Sequence, residues 1–466
     1  MQQSLSRQFA SWVSALAYED LPAAVTDRAR GVTLQGMSSC LLGHGFPETR
    51  QALAMMEEEE GRSGGPATVL VDGRRFTRSG AAFVNAEMMF AGGKWDTFRM
   101  LTHPCCAIVP AALVAAEITG CSGRDYLTGV AAGYEVMERM ADEVVPTVMT
   151  RGFHAGPVFA IFGAAVAMAK ILRLDSDQIH GAIAQCVNLA AGNLEGGRSG
   201  GRSIREGGAV RNAILAVAMA RQGVPGGETV LEGPAGFYHA YTGNNRGELA
   251  LSFRGALSFD LEHVTRDLGQ DWRFLETLYR IYSTAGYNIA HVDVTARLCE
   301  RDGISPEDVD SVETLVNWLE TQYPSPAFPS RCQDLEPGPE MPHYYAAYGI
   351  LERGFPMVKN VEHGVGPADP AGLQDMMRRV RIVASHRQPL FAPTVTIVTR
   401  DGRRHTLDAT GREFIFDYDM LAGRLAPIAA DLPIPATQYA DLTEELRGID
   451  AASSVERLIS LSIIRQ

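Results

Sequence analysis

The strongest constraint on the fold is a succession of long, alanine-rich segments whose apolar residues recur at spacings of three and four. They run over residues 21–42, 80–91, 108–119, 124–141, 155–172, 176–191 and 206–222, and that period is the signature of helices burying one face. In FGAAVAMAKILRLD the apolar residues surround the helix on nearly every side, which predicts a central position in a bundle. Gly120, Gly223, Pro225 and Gly226 supply the breaks.

Two features interrupt this pattern. ATVLV and RRFTR flank Asp72-Gly73 and predict a small hairpin. Beyond about Trp272, VETLVNWL, RVRIVASH, TVTIVTR and RHTLDA read as strands, the last two joined by Asp401-Gly402. From Phe416 the chain is helical again, with MLAGRLAPIAA and AASSVERLISLSII. The expectation is a mainly α protein: a large all-helical domain over residues 1–268, a smaller α/β lid domain over 269–410 inserted before the C-terminal helices, and a return to the helical domain over 411–466. At 466 residues two domains are the economical reading. The stretches QYPSPAFPS and DLEPGPEMP read as irregular loops within the lid.

A content of 46% hydrophobic and 21% charged residues is that of a globular protein. The formal charge of −13 disfavours binding to nucleic-acid phosphate or anionic lipid, so neither nucleic acid nor membrane is expected as a partner. An anionic substrate would need locally clustered arginines. The seven cysteines form no Cys-x-x-Cys pair and read as reduced, structural thiols. The opening MQQSLSRQFASWVSALAYED reads as a first helix of a cytoplasmic protein.

Four segments carry candidate chemistry. WDTFRMLTHP places Asp96, Thr97, Arg99 and His103 on a short link between helices. RGFH puts His154 at the start of an apolar helix, where an imidazole is either a cap or a base facing a dry cavity. The run GNLEGGRSGGRSIREGG, with Arg198, Arg202 and Arg205 and with Arg211 just beyond, could hold an anion or simply connect two helices. YSTAGYNIAH offers Tyr282, Tyr287 and His291 as hydrogen-bond donors or acids, or as polar decorations on a helix start. There is no Walker lysine motif, no Rossmann fingerprint and no His-Glu-x-x-His, so phosphate, dinucleotide and zinc readings have little support.

The order of these segments resembles the MmgE/PrpD family, most specifically in LTHP, VAAGYEVMERMA, RGFHAGPVFAIFGAAVAMAKILRLDSDQ, GGAVRNAILAVAMARQG and VLEGPAGF. The resemblance implies a helical domain built by both chain ends with an α/β lid, a homodimer, and chemistry without metal or iron-sulfur cluster. It implies site residues at Asp96, Thr97, His103 and His154, with Arg202 where the family carries a lysine and Arg205 nearby. At YSTAGYNIAH, Tyr282 stands where the family has lysine and Tyr287 where it has Cys or His, while His291 is retained. That exchange favours a substrate less anionic than a citrate-like tricarboxylate.

The function implied is a cofactor-independent lyase, a dehydratase or decarboxylase, moving protons next to a carboxylate or carbonyl of a small organic acid or specialised-metabolite intermediate. In it His154, His103, Asp96, Tyr282 and Tyr287 do the chemistry, while Thr97, Arg99, Arg202, Arg205 and His291 bind the substrate. The alternatives are an epimerase, isomerase or cyclase using the same residues, or a non-catalytic binding protein on the same fold.

Overall fold

In the computed structural model, residues 3–61, 64–196, 204–328, 338 and 341–465 are described. The chain divides into two units, Met1–Tyr279 with Asp417–Gln466, and Arg280–Phe416.

The first unit is a helical body, and small residues set how closely its central helices pack. Gly123–Ala141 lies against Ala155–Ile171, and a Cβ at Gly133 would stand 2.5 Å from the carbonyl oxygen of Gly163. Any side chain there would push the helices apart. Ala155–Ile171 is buried at every position except Lys170, as its all-round apolar pattern predicts. Side-chain caps mark several helix starts. Thr77 caps Arg78–Gly92, Ser122 caps Gly123–Ala141, and Asp175 with Gln178 forms a capping box on Ser176–Leu189. Each such cap contributes about 1 kcal/mol. The C-terminal segments return to this body. The Tyr418 backbone N–H donates to Asp27, and the Tyr439 and Ser38 hydroxyls are 2.8 Å apart.

The body reaches eleven residues further than the expected boundary at 268, because the segment up to Tyr279 is tied to buried charges on the Gly123–Ala141 helix. Glu135 accepts from the Phe274 N–H at 3.0 Å and pairs with Arg139 at 2.5 Å. Arg139 in turn donates to the carbonyls of Arg266 and Asp271, and the Thr277 hydroxyl donates to Glu138. The expected hairpin is short, with only Ala67–Thr68 paired to Arg75–Phe76. Val71 and Gly73 take up left-handed conformations in a loop wider than a two-residue turn.

The second unit holds a four-stranded sheet in the order Val380–Ser385, Val309–Asn317, Thr394–Thr399, Arg404–Asp408. The first pair is parallel and the others antiparallel. Asp401-Gly402 makes the last turn, with Gly402 in the left-handed region. VETLVNWL is strand only as far as Asn317, and Trp318–Gln322 is a 3-10 turn. Helices Gly286–Asp302 and Pro342–Glu352 pack on each other. This unit ends at Phe416 rather than 410. Among the described residues no helix is long and apolar enough to cross a membrane.

Candidate active site

The link between Arg78–Gly92 and Cys105–Thr119 is shaped from its first residue. Gly93, in the left-handed conformation, ends the first helix, and the Trp95 indole N–H turns back to donate to the carbonyls of Met89 and Phe90 at 3.1 and 2.8 Å. The indole stacks on the Phe90 ring with centroids 4.2 Å apart, and the His103 ring lies 4.6 Å beyond it. Asp96 and Thr97 pair antiparallel with Leu278 and Tyr279, which fixes the middle of the link to the body. Arg99 and Leu101 adopt positive φ, 56° and 57°, in the tight bend that follows.

Within this frame the expected residues take different places. Asp96 is fully buried. One carboxylate oxygen accepts from the Cys105 N–H at 3.0 Å and the other from the Tyr134 hydroxyl. Burial pushes its carboxyl above the ordinary range, against the pull of these donors. Thr97 donates within the bend, to the carbonyls of Arg99 and Thr102. Arg99 pairs with Asp142 and Glu276 and lies over the Phe98 ring, so its guanidinium already serves two carboxylates. His103 Nδ1 faces the Asp96 carbonyl oxygen at 3.3 Å. A carbonyl only accepts, so this contact places the proton on Nδ1 and the lone pair on Nε2.

His154 is the N-cap residue of Ala155–Ile171, and its Nδ1 accepts from the Gly156 N–H at 3.2 Å. The cap therefore fixes the opposite tautomer, with the proton on Nε2. Of the expected polar groups of the helical body, these two imidazoles, each under a tenth exposed, have hydrogen bonding that points to complementary roles.

Arg205 lies in the first turn of Ile204–Arg221, with its guanidinium 5.7 Å over the Phe90 ring and Nε 4.0 Å from the Glu206 carboxylate. This joins it to the aromatic wall of Phe90 and Trp95. Arg198 and Arg202 lie outside the described residues. Three buried charged groups here were not singled out from the sequence, namely Glu87, Lys94 and Glu206. A lone charge inside an otherwise apolar helical pattern, such as Glu87 in AAFVNAEMMFAG, was the available signal.

In the second unit, Tyr282 packs edge-on to Phe355 at 5.5 Å, and Tyr287 lies 6.1 Å from Tyr323. His291 is wholly buried, its Nδ1 donating to the Tyr287 carbonyl at 2.8 Å, and burial pushes its pKa down to about 4. It is thus held neutral inside the helix packing. The six described cysteines are free, with the sulfurs of Cys105 and Cys106 3.9 Å apart. Among the described residues, no group of three or more His, Cys, Asp or Glu could hold a metal ion.

Comparison with known proteins places this arrangement in context. The MmgE/PrpD N-terminal domain profile matches residues 7–250. A cis-aconitate decarboxylase-like protein, oryM, of Aspergillus oryzae (strain ATCC 42149 / RIB 40) is 26% identical over 296 residues, 61% of this chain and 59% of the relative. The cis-aconitate decarboxylase of Aspergillus terreus (strain NIH 2624 / FGSC A1156) is 25% identical over 308 residues, 64% of this chain and 60% of the relative. That of Homo sapiens is 27% identical over 247 residues, covering 51% of this chain and 50% of the relative. The matched region thus spans between half and three-fifths of these curated relatives.

Proposed function

The chain belongs to the MmgE/PrpD family, and from that premise we propose that it is a lyase, a decarboxylase or dehydratase acting on a small organic acid. The observation that carries the reading is the pair of ring contacts, His103 Nδ1 at the Asp96 carbonyl and His154 Nδ1 at the Gly156 N–H, from which we infer opposite tautomers, His103 with its Nε2 lone pair and His154 with its Nε2–H. Proton transfer at carbon needs one group that accepts and one that donates, each fixed before the substrate arrives.

In decarboxylation the carbon–carbon bond breaks, carbon dioxide leaves, and the electron pair stays on carbon, delocalised into the neighbouring carboxyl or carbonyl. His154 Nε2–H then delivers the proton that quenches this carbanion, and the ring is reprotonated from solvent. In dehydration His103 Nε2 instead removes the proton next to the carboxylate, and His154 protonates the departing hydroxide. Arg205 supplies the positive charge that meets a substrate carboxylate, with Arg202 as a second arginine in the same role. Tyr282 and Tyr287, in the second unit, we propose as hydrogen-bond donors. Asp96, Thr97 and Arg99 hold the loop that presents His103, and His291 serves the packing of the second unit.

The relatives named as cis-aconitate decarboxylases make an unsaturated carboxylic acid the first substrate class to test. The experiment is incubation of the purified chain with a metabolite extract, beside its His154→Ala variant, read by mass. Loss of carbon dioxide or of water only with the wild type supports the lyase. Solvent deuterium entering a compound whose other atoms are unchanged would point to an epimerase instead, and identical profiles for both proteins would sink the enzymatic reading.

A further inference from the structure

Two carboxyl groups are buried close to each other, Glu206 and Glu87, the first of them beside His154, and the reaction outlined above does not use them. Glu206, in the first turn of Ile204–Arg221, has no exposed surface, and Glu87, on Arg78–Gly92, is 1% exposed. Burying two neighbouring carboxylates, both charged, is costly, so their surroundings must divide the charge between them.

The surroundings of the two differ. Glu206 Oε1 lies 2.7 Å from where a Cβ of Gly156 would be, and His154 Nδ1 lies 3.2 Å from that same point. Carboxyl and imidazole therefore border one missing methyl group at the N-terminal turn of Ala155–Ile171. Glu206 also stands in the first turn of its own helix, with Arg205 Nε 4.0 Å away. Two helix N-termini and a guanidinium all favour negative charge at this carboxyl. Glu87 accepts only the Gly207 N–H, at 3.2 Å on Oε1, and its Oε2 is buried with no hydrogen-bond partner among the described residues. The same division follows from like-charge repulsion, since burial and then Glu206 push the Glu87 carboxyl well above its usual range.

We propose that Glu206 is a positioning residue, a carboxylate that faces the His154 ring across the space left by the missing Gly156 side chain, and that Glu87 is its neutral, protonated neighbour. When His154 takes up a proton at Nδ1 it gives up the Gly156 N–H, and the new N–H finds the Glu206 carboxylate beside it. The resulting imidazolium keeps its Nε2–H and is a stronger proton donor than the neutral ring. Glu206 thereby holds His154 in reserve as an acid. Titratable groups around the pair among the described residues include Arg205, Cys106 on Cys105–Thr119 and Glu48 on Pro47–Glu60. The thiol of Cys106, held up to about 11 by burial, is neutral through the neutral pH range.

This inference rests on the reading of His154 as the donor, but its test requires no turnover. The His154 ring is followed by NMR titration of the full chain, its signal identified by its loss in His154→Gln. Glu206→Gln is expected to lower the His154 midpoint by about one pH unit or more, the size of a close opposite charge removed. Glu87→Gln, replacing a carboxyl that is already neutral, is expected to leave the midpoint within ~0.3 unit. Glu206→Asp should restore most of the shift, and circular dichroism shows that each variant is folded. An unchanged midpoint in Glu206→Gln overturns the proposal, as does an equal shift in both glutamine variants. If the chain turned out to have no lyase activity while the His154 midpoint moved as expected, the proposed function would fail and the carboxylate–imidazole pair would stand.

Discussion

Replacing Asp96 by alanine tests what its carboxyl does in the loop before His103. The change leaves two buried donors bare, the Cys105 N–H and the Tyr134 hydroxyl. An unsatisfied buried donor costs about 1–3 kcal/mol, so the pair costs on the order of 2–6 kcal/mol. Part of that is offset because a carboxyl already disfavoured by burial is removed with it. A net loss of about 3 kcal/mol is expected, which at roughly 1.5 °C per kcal/mol for a unit of this size lowers the melting temperature by about 4 °C. The assay is thermal unfolding followed by circular dichroism, for Asp96→Ala, Tyr134→Phe and the double variant. Because the side chains touch, the two single effects should fail to add by about 1 kcal/mol. An Asp96→Ala protein that melts with the wild type yet loses all activity would refute the structural role and return Asp96 to the chemistry.

Two further outcomes follow from buried groups. Glu320 in the second unit is buried, and burial pushes its pKa up to about 8 against the Phe391 N–H that it accepts. The folded chain then keeps a proton that the unfolded chain releases above its ordinary carboxyl range, so stability falls as pH rises from about 4.5 towards about 8. Glu320→Gln should therefore melt higher than wild type at alkaline pH and no higher near pH 4, as scanning calorimetry at the two extremes would show. Gly207→Ala should cost about 1–3 kcal/mol, because the new methyl collides with Glu87 Oε1 and the Phe83 ring. Urea unfolding at unchanged m-value measures that loss.

The helical body was legible because three- and four-residue apolar spacing runs unbroken through segments such as 155–172, where burial is nearly complete. His103 and His154 could be singled out because each stands beside a helix start, in LTHP and RGFH. Their roles could not be read there, since the tautomers depend on the Asp96 carbonyl and on the Gly156 N–H as folded. The boundary at Tyr279 was hidden for a related reason. It is set by Glu135, Glu138 and Arg139, which lie more than a hundred residues earlier in the chain. Tyr134 behind Asp96 and Glu206 beside His154 are long-range partners of the same kind, and no local pattern announces them.

The central claim is that His103 and His154 together move the proton of a lyase reaction. It is met most directly by incubating wild type, His103→Gln and His154→Gln with cis-aconitate and related unsaturated and hydroxy acids in deuterated buffer, observed by proton NMR. The account predicts that the wild type converts at least one of these acids with loss of carbon dioxide or water. A decarboxylated product would carry deuterium at the carbon that received the proton. His154→Gln should slow this by about 100-fold or more, as should His103→Gln where water is the group lost. Conversion at the wild-type rate by both variants would contradict it.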